Sequence, residues 1–220
     1  LQEEGHLRPG DGELWRLQLP LDEVHIPARI YDVVARRISK LTKEQRETLE
    51  CASVVGYEFG PGLLGEVLGL SRITLLKSLA DVERRHKLVV SRGQSYQFDH
   101  AKIREVLYSD IPEALRLEYH RMVAAAYESI HADSLDEVLD ILATHYHAAG
   151  DPKAVDYAIG AGDGSREQYA NLEAIRLYQM ALERMGEGDE RELETRKKIG
   201  NACYLAGRWD GTMEQHSAAY

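Results

Sequence analysis

Long apolar runs are missing from this 220-residue chain: no stretch approaches the ~18–20 residues that a membrane span needs, so no membrane partner is expected. Cysteine is scarce. Cys51 and Cys203 are far apart and sit on helical patterns beside apolar residues, so neither a disulfide nor a metal site is expected. A reducing, cytoplasmic setting fits that usage. The chain opens Leu-Gln-Glu-Glu-Gly, with no initiator Met and no charged-then-apolar signal region, and Tyr220 falls inside a helical pattern. Both ends read as cuts in a longer protein.

Catalytic and ligand-holding constellations are also lacking. The stretch Gly60-Pro61-Gly62-Leu63-Leu64-Gly65-Glu66-Val67 has two glycines at phosphate-loop spacing, but Glu66-Val67 stands where Lys-Ser/Thr is required. Without the lysine for the β/γ-phosphates or the hydroxyl for Mg²⁺, nucleotide binding has no chemical basis there. A short helix started by Pro61 is the better reading. His145 and His147 are two residues apart, so on a helix they diverge by about 200° and cannot share a metal ion. The stretch His145-Tyr146-His147 reads as one packed ring between two partly exposed imidazoles. His100 with Asp99, Lys102 and Glu105 can be drawn as an acid–base group, but no nucleophile stands beside it. Asp99 reads more simply as a helix cap, and Lys102 and Glu105 as solvated. Cys51 has no neighbouring cation to make its thiol reactive. The expectation is a segment that is not an enzyme, with no cofactor and no metal of its own.

What is present is a charged, helix-rich sequence, 44% hydrophobic and 29% charged, ordinary for a folded protein. Its net charge of −10 is unevenly spread. Residues 1–25 carry −4, residues 26–111 carry +3 and residues 112–220 carry −9. The change of sign predicts a boundary near Pro112.

Residues 1–25, with Gly5, Pro9-Gly10, Gly12 and Pro20, read as a small hairpin or the tail of an upstream domain, followed by a linker. Pro27 then opens a helix whose stripe is Ile26, Ile30, Val33, Val34, Ile38 and Leu41. Thr42-Lys43-Glu44-Gln45 is a capping box for a second helix that Gly56 ends. Pro61 begins a third, and Ser71 a fourth with Leu75, Leu76, Leu79 and Val82 inward. The period then changes to two: Leu88-Val89-Val90, a turn at Arg92-Gly93 and Tyr96-Gln97-Phe98 predict a hairpin. Helices followed by such a hairpin are in winged-helix order. Asp99 is expected to cap the next helix. After Pro112 the pattern is helical throughout. Ser134-Leu135-Asp136-Glu137 reads as another capping box, Asp151-Pro152 as a cap with a first-turn proline, and Asn171 as a cap. Gly160, Gly162 and Gly164 weaken the helix between, at about 1 kcal/mol each relative to Ala.

Two stretches share a design. Ala170 through Leu182 resembles the second helix of a tetratricopeptide repeat, and Ile199 through Trp209 resembles the first helix and turn of the next. The spacing from Asn171 to Gly207 is 36 residues, close to the ~34-residue repeat. Ala174, Ala181, Gly200 and Ala206 are small enough to let paired helices approach. Residues Thr144–Asp151 look like an earlier, degenerate turn.

Taken in order, further stretches carry a resemblance. They are Ile26-Pro27 through Leu41, Ala52-Ser53-Val54-Val55-Gly56-Tyr57-Glu58-Phe59, Tyr96 through Tyr108, and Leu142-Ala143-Thr144-His145-Tyr146. From Ile26 to about Leu182 the chain resembles the region downstream of the nucleotide-binding domain in bacterial STAND-type signalling ATPases. Those are large regulators, often found with adenylate/guanylate cyclase, protein-kinase or transcriptional-activator modules. The resemblance implies a mainly α fold: a winged helix with one small β-hairpin over 26–111, then a truncated tetratricopeptide-like array over 112–220. It also implies a winged helix acting as a switch arm that clamps or releases the ATPase, and repeats that sense a partner. ATP and Mg²⁺ belong, on this resemblance, only to the upstream domain.

One constellation remains as a candidate site. The helix from Ser71 to His86 holds the recognition-helix position, and with its flank it carries Arg72, Lys77, Arg84, Arg85, Lys87 and Arg92, a net +4 against Asp81 and Glu83. Such a face fits an acidic protein surface, including the chain's own nucleotide-binding domain. The alternative is DNA, with the helix in the major groove and the wing on phosphate. Two features weigh against it: the cations cluster at the helix end, and the −9 downstream region repels a duplex. An array cut at about two and a half hairpins also exposes an apolar end face. With Trp209 and Met213 near it, that end is expected to promote a homodimer or end-to-end packing.

Overall fold

The computed structural model describes residues 7–9, 15–17 and 26–207. The expected end face at Trp209 and Met213 lies outside them. Two short strands come first, β1 (Leu7–Pro9) and β2 (Trp15–Leu17), paired antiparallel with Leu7 opposite Leu17.

The next stretch alternates helices with a small sheet: α1 (Ile26–Ile38), α2 (Lys43–Val55), β3 (Glu58–Phe59), α3 (Pro61–Leu68), α4 (Arg72–His86), β4 (Val89–Arg92), β5 (Ser95–Phe98) and α5 (Ala101–Asp110). Sequence chemistry places most of these ends. The Gln45 N–H donates to Thr42 Oγ1 at 3.2 Å and the Thr42 N–H to Gln45 Oε1 at 3.1 Å, so the capping box is closed both ways. Pro61 starts α3, and the Ser71 hydroxyl accepts from the Thr74 N–H to start α4. β4 and β5 pair antiparallel around Gly93-Gln94, and Gly93 takes a φ of 66° that a side chain would resist. β3, which the sequence reading does not include, pairs with β5 to complete a three-stranded sheet in the order β3-β5-β4. Asp99 is not a cap. His100 fills that place, its Nδ1 accepting from the Lys102 N–H at 3.1 Å, while the Asp99 N–H is spent on the Leu88 carbonyl.

α6 (Glu113–Ile130) follows, then a single 3₁₀ turn (Leu135–Glu137) and α7 (Leu139–Ala148), α8 (Ala154–Glu167), α9 (Asn171–Arg184) and α10 (Glu192–Leu205). The molecule is thus mainly helical, with ten α-helices among the described residues. From α6 onward each helix packs on the next. The Ser134 box does not form: the Glu137 N–H goes to the Ser134 carbonyl rather than its hydroxyl, and the helix starts at Leu139. Asn171 is not a cap either. Ala170 holds that place, reached through Tyr169 at a φ of 60°, and Asn171 Oδ1 is buried with no hydrogen-bond partner.

Two kinds of core result. The first is one continuous cluster that includes Leu49, Leu64, Leu75, Leu79, Phe98 and Leu107, all buried. Phe59 lies on it against Phe98, ring centroids 5.3 Å apart. It does not stop at Pro112, because Ile111, Tyr119, Val123 and Ala126 belong to it. Ala124, on another side of α6, meets Val138, Leu142 and Tyr146. The charge changes at Pro112; the packing does not. The second kind is a series of small clusters between successive helices, rich in alanine: Ala143, Ala158 and Ala161 with Leu177, then Ala174 and Ala202 with Ile175 and Ile199.

The glycines of α8 have a packing reason. A Cβ added to Gly162 would lie 2.5 Å from Tyr178 Cε1, so the bare backbone is what lets the buried Tyr178 ring lie flat on α8. Its hydroxyl donates to Asp163 Oδ1 at 2.7 Å, and Lys198 of α10 closes on the same carboxylate.

Candidate contact surface

All six candidate basic residues, Arg72, Lys77, Arg84, Arg85, Lys87 and Arg92, are exposed. α4 presents them because its apolar residues are spaced for one face only. Leu75, Leu79 and Val82 turn into the core, which leaves Ile73, Lys77, Ala80 and Arg84 as an outward stripe. Ile73 is 67% exposed and Leu70, just before the helix, 38%, so the N-terminal end of this face is apolar as well as basic.

The six do not form one patch. Arg72 opens α4 and Arg85 lies thirteen residues on, about 20 Å along the axis. Arg84, Arg85 and Lys87 share the far end, where cations also complement the negative end of the helix dipole. Lys87 ends the helix with a left-handed φ of 52°. Arg92 joins this end through the sheet: the N–H of its neighbour Ser91, on edge strand β4, donates to Glu83 Oε1 at 2.9 Å. That bond pins the hairpin to the last turns of α4 and occupies an edge donor.

Asp81 sits among the cations, 3.0 Å from Arg84 and 2.7 Å from Arg85. Desolvation works against its charge, but hydrogen bonds from Arg84 and Gln45 and the charge of Arg85 outweigh it and hold its carboxyl below the usual range. Gln45 Nε2 donates to Asp81 Oδ2 at 3.1 Å. The residue that closes the α2 capping box therefore also braces the basic face. Arg84 and Arg85 remain 74% and 66% exposed, and such open pairs hold little energy, about 0.2–1 kcal/mol.

The histidines fall differently from the sequence reading. His145 is buried along with Tyr146, and only His147 keeps access, 3.0 Å from Glu183. The His145 Nδ1 lies 2.9 Å from the Nδ1 of His120, a buried residue of α6 that the sequence reading passes over. No local signal marks His120; its partners come from α5 and α7, at sequence separations of 12 and 25. Cys51 is enclosed in the first core, and burial pushes its thiol up to about 12. Residues 61–68, inside the glycine-containing stretch, are helix α3. Among the described residues no group of three or more His, Cys, Asp or Glu could hold a metal ion, and no helix is long and apolar enough to cross a membrane.

No family model, no curated protein and no solved structure matches this chain.

Proposed function

We propose that this chain is a non-catalytic regulatory and interaction segment of a signalling ATPase, with the exposed face of α4 as its contact surface. In this reading α1 to α5 with strands β3 to β5 are the winged helix. Helices α6 to α10 are tetratricopeptide-like hairpins that receive a partner. The single observation that carries it is the outward stripe of α4, where Ile73 and Lys77 lead to Arg84 with Arg85, Lys87 and Arg92 at the same end, all exposed. A helix with both an apolar residue and several cations facing solvent suits an acidic protein surface with some apolar area. Nucleotide and Mg²⁺ belong to a domain outside this chain.

The alternative is DNA. The regular spacing of Lys77 and Arg84 along one face favours it, since groove-reading side chains project from one side of a helix. Asp81 counts against it, because a carboxylate between Arg84 and Arg85 would face phosphate.

One titration separates the two. The full chain is titrated by fluorescence anisotropy against the parent protein's nucleotide-binding domain and against duplex DNA, at low and physiological salt. The expected result is binding to the domain that weakens about ten-fold or more when Arg84, Arg85 and Lys87 are changed to Glu. DNA binding that falls steeply with salt and disappears in the same variant would replace this reading with a DNA-binding arm. Measurable ATP hydrolysis by a clean preparation of the chain would overturn the non-catalytic part.

A further inference from the structure

A buried polar chain runs through the junction where the continuous first core gives way to the stacked hairpins. Tyr108 of α5 places its hydroxyl 3.0 Å from His120 Nε2, and His120 Nδ1 lies 2.9 Å from His145 Nδ1 of α7. Both imidazoles are buried. Tyr127 stacks on His145 with centroids 6.3 Å apart, and His131 stacks on Tyr127 in turn, at 6.1 Å. No other hydrogen bond between described side chains spans α6 and α7 by way of two titratable rings.

Proton bookkeeping makes this contact unusual. A neutral imidazole has one N–H and one bare nitrogen. With both rings neutral, the Tyr108 O–H donates to His120 Nε2 and the His120 Nδ1–H to His145 Nδ1; the reversed direction also satisfies each atom. A single added proton is still accommodated, because His120 as a double donor can give one N–H to His145 and the other to the Tyr108 oxygen. A second proton is not. Both Nδ1 atoms would then carry hydrogen, and two like-charged donors would face each other at 2.9 Å.

We propose that the His120–His145 contact is a proton-operated latch, which ties α6 to α7 while at most one proton is held and releases the hairpins from the first core when both rings are protonated.

The surroundings favour release on protonation rather than compensation for it. The charged groups that bear on the rings are cations: Arg116 and Arg104 act on His120, and His120 itself, then Arg104, act on His145. Both guanidinium groups lie over the Tyr108 ring, at 5.3 and 5.8 Å, and Arg104 also donates to the Ser53 carbonyl of α2. No carboxylate is among the groups that act on either ring. Glu50 of α2 pairs with Arg46, Glu128 accepts from Tyr146 and Lys153, and Glu183 of α9 meets His147, while the charges of Glu47 and of Asp140 of α7 bear on Tyr119 and Tyr127. Burial, the largest cause, and these cations lower both rings from the usual 6.5 to about 4.

The sign follows. Both pKa values are depressed in the closed state, so the contact stabilises above about pH 6.5 and that contribution is lost as pH falls from 6.5 toward 4. Between pH 7.5 and 5.5 the opening equilibrium should rise about ten-fold for each ring, or about a hundred-fold for both.

The test is backbone amide hydrogen exchange on the full chain at pH 7.5 and 5.5, corrected for intrinsic rates. Amides around Leu142 and Tyr146 of α7 should lose protection by about a hundred-fold, while those around Leu49 and Leu75 in the first core lose much less. The double variant His120→Phe/His145→Phe, which cannot charge, should remove that difference between the two pH values. Should that variant not fold, histidine ring NMR on the unmodified chain serves instead. There, both rings should stay neutral in the closed state well below pH 6 and change together with the loss of α6–α7 protection. Uniform loss across both regions, unchanged protection at α6–α7, or a ring titrating near 6.5 with protection intact would each overturn the latch.

Discussion

The region up to Ala126 and the region after it are both helical, yet they are held together differently. The first has one core in which long aliphatic and aromatic side chains from α1 to α6 and the sheet touch a common centre. The second has no centre. Its clusters are small, alanine-rich and confined to neighbouring helices, and tyrosines tie them across polar contacts: Tyr146 to Glu128 at 2.6 Å and Tyr178 to Asp163 at 2.7 Å. A globular core should resist local damage until it fails as a whole, whereas a stack of neighbour contacts should loosen where it is cut. That contrast also suits the proposed roles, a firm arm carrying the basic face and an adaptable array beside it.

The largest effect should come from the common centre. Leu79 of α4 is fully buried in it, and Leu79→Ala should cost about 2–5 kcal/mol, seen as a lower denaturant midpoint with every probe of the first region moving together. A loss confined to α4 would mean that the first region is not one cooperative unit.

The matching cut in the second region is Gly162→Ala. The added Cβ would press on Tyr178 at 2.5 Å, and a buried ring whose hydroxyl is tied to Asp163 has little room to yield. Overpacking of this kind costs about 1–3 kcal/mol. Exchange rates should rise at α8, α9 and α10 and stay unchanged at α2 and α4. Equal acceleration in both regions would erase the distinction.

These two sites also show what the sequence could reveal and what it could not. Local chemistry was readable: Thr42 with Gln45, Pro61, Ser71 and the alternation around Gly93 place the elements of the first region. The inward side of α4 was equally plain in Leu75, Leu79 and Val82, whereas the outward stripe through Lys77 and Arg84 shows only in the fold. What depends on distant partners was not legible. The two-residue strand β3 exists only because β5 pairs with it. Gly162 looked like a weakness until Tyr178 was laid against it, and His120 looked like an ordinary helical residue until α5 and α7 reached it. At Ser134 and Asn171 the residue types were right for caps but the chain's path took the backbone donors elsewhere.

A smaller, local contribution should come from the capping box. Thr42→Ala removes the acceptor for the Gln45 N–H and should cost about 1 kcal/mol, measured by thermal or chemical unfolding. Because Gln45 also donates to Asp81, the same change should loosen the brace under the basic face, visible as altered chemical shifts at Asp81. Unchanged shifts there would separate the cap from that face.

The smallest stability effect is the one that matters most for function. Arg85 is 66% exposed, its pair with Asp81 is open to solvent, and Arg84 stands ready on the same carboxylate. Arg85→Ala should therefore change unfolding free energy by no more than about 0.5 kcal/mol. A side chain that the fold does not need is free to serve a partner, so any loss of binding in this variant reads directly on contact. Were Arg85→Ala instead to destabilise the first region by as much as a core truncation, the cation would be structural. The α4 face would then lose its standing as a surface kept for something outside the chain.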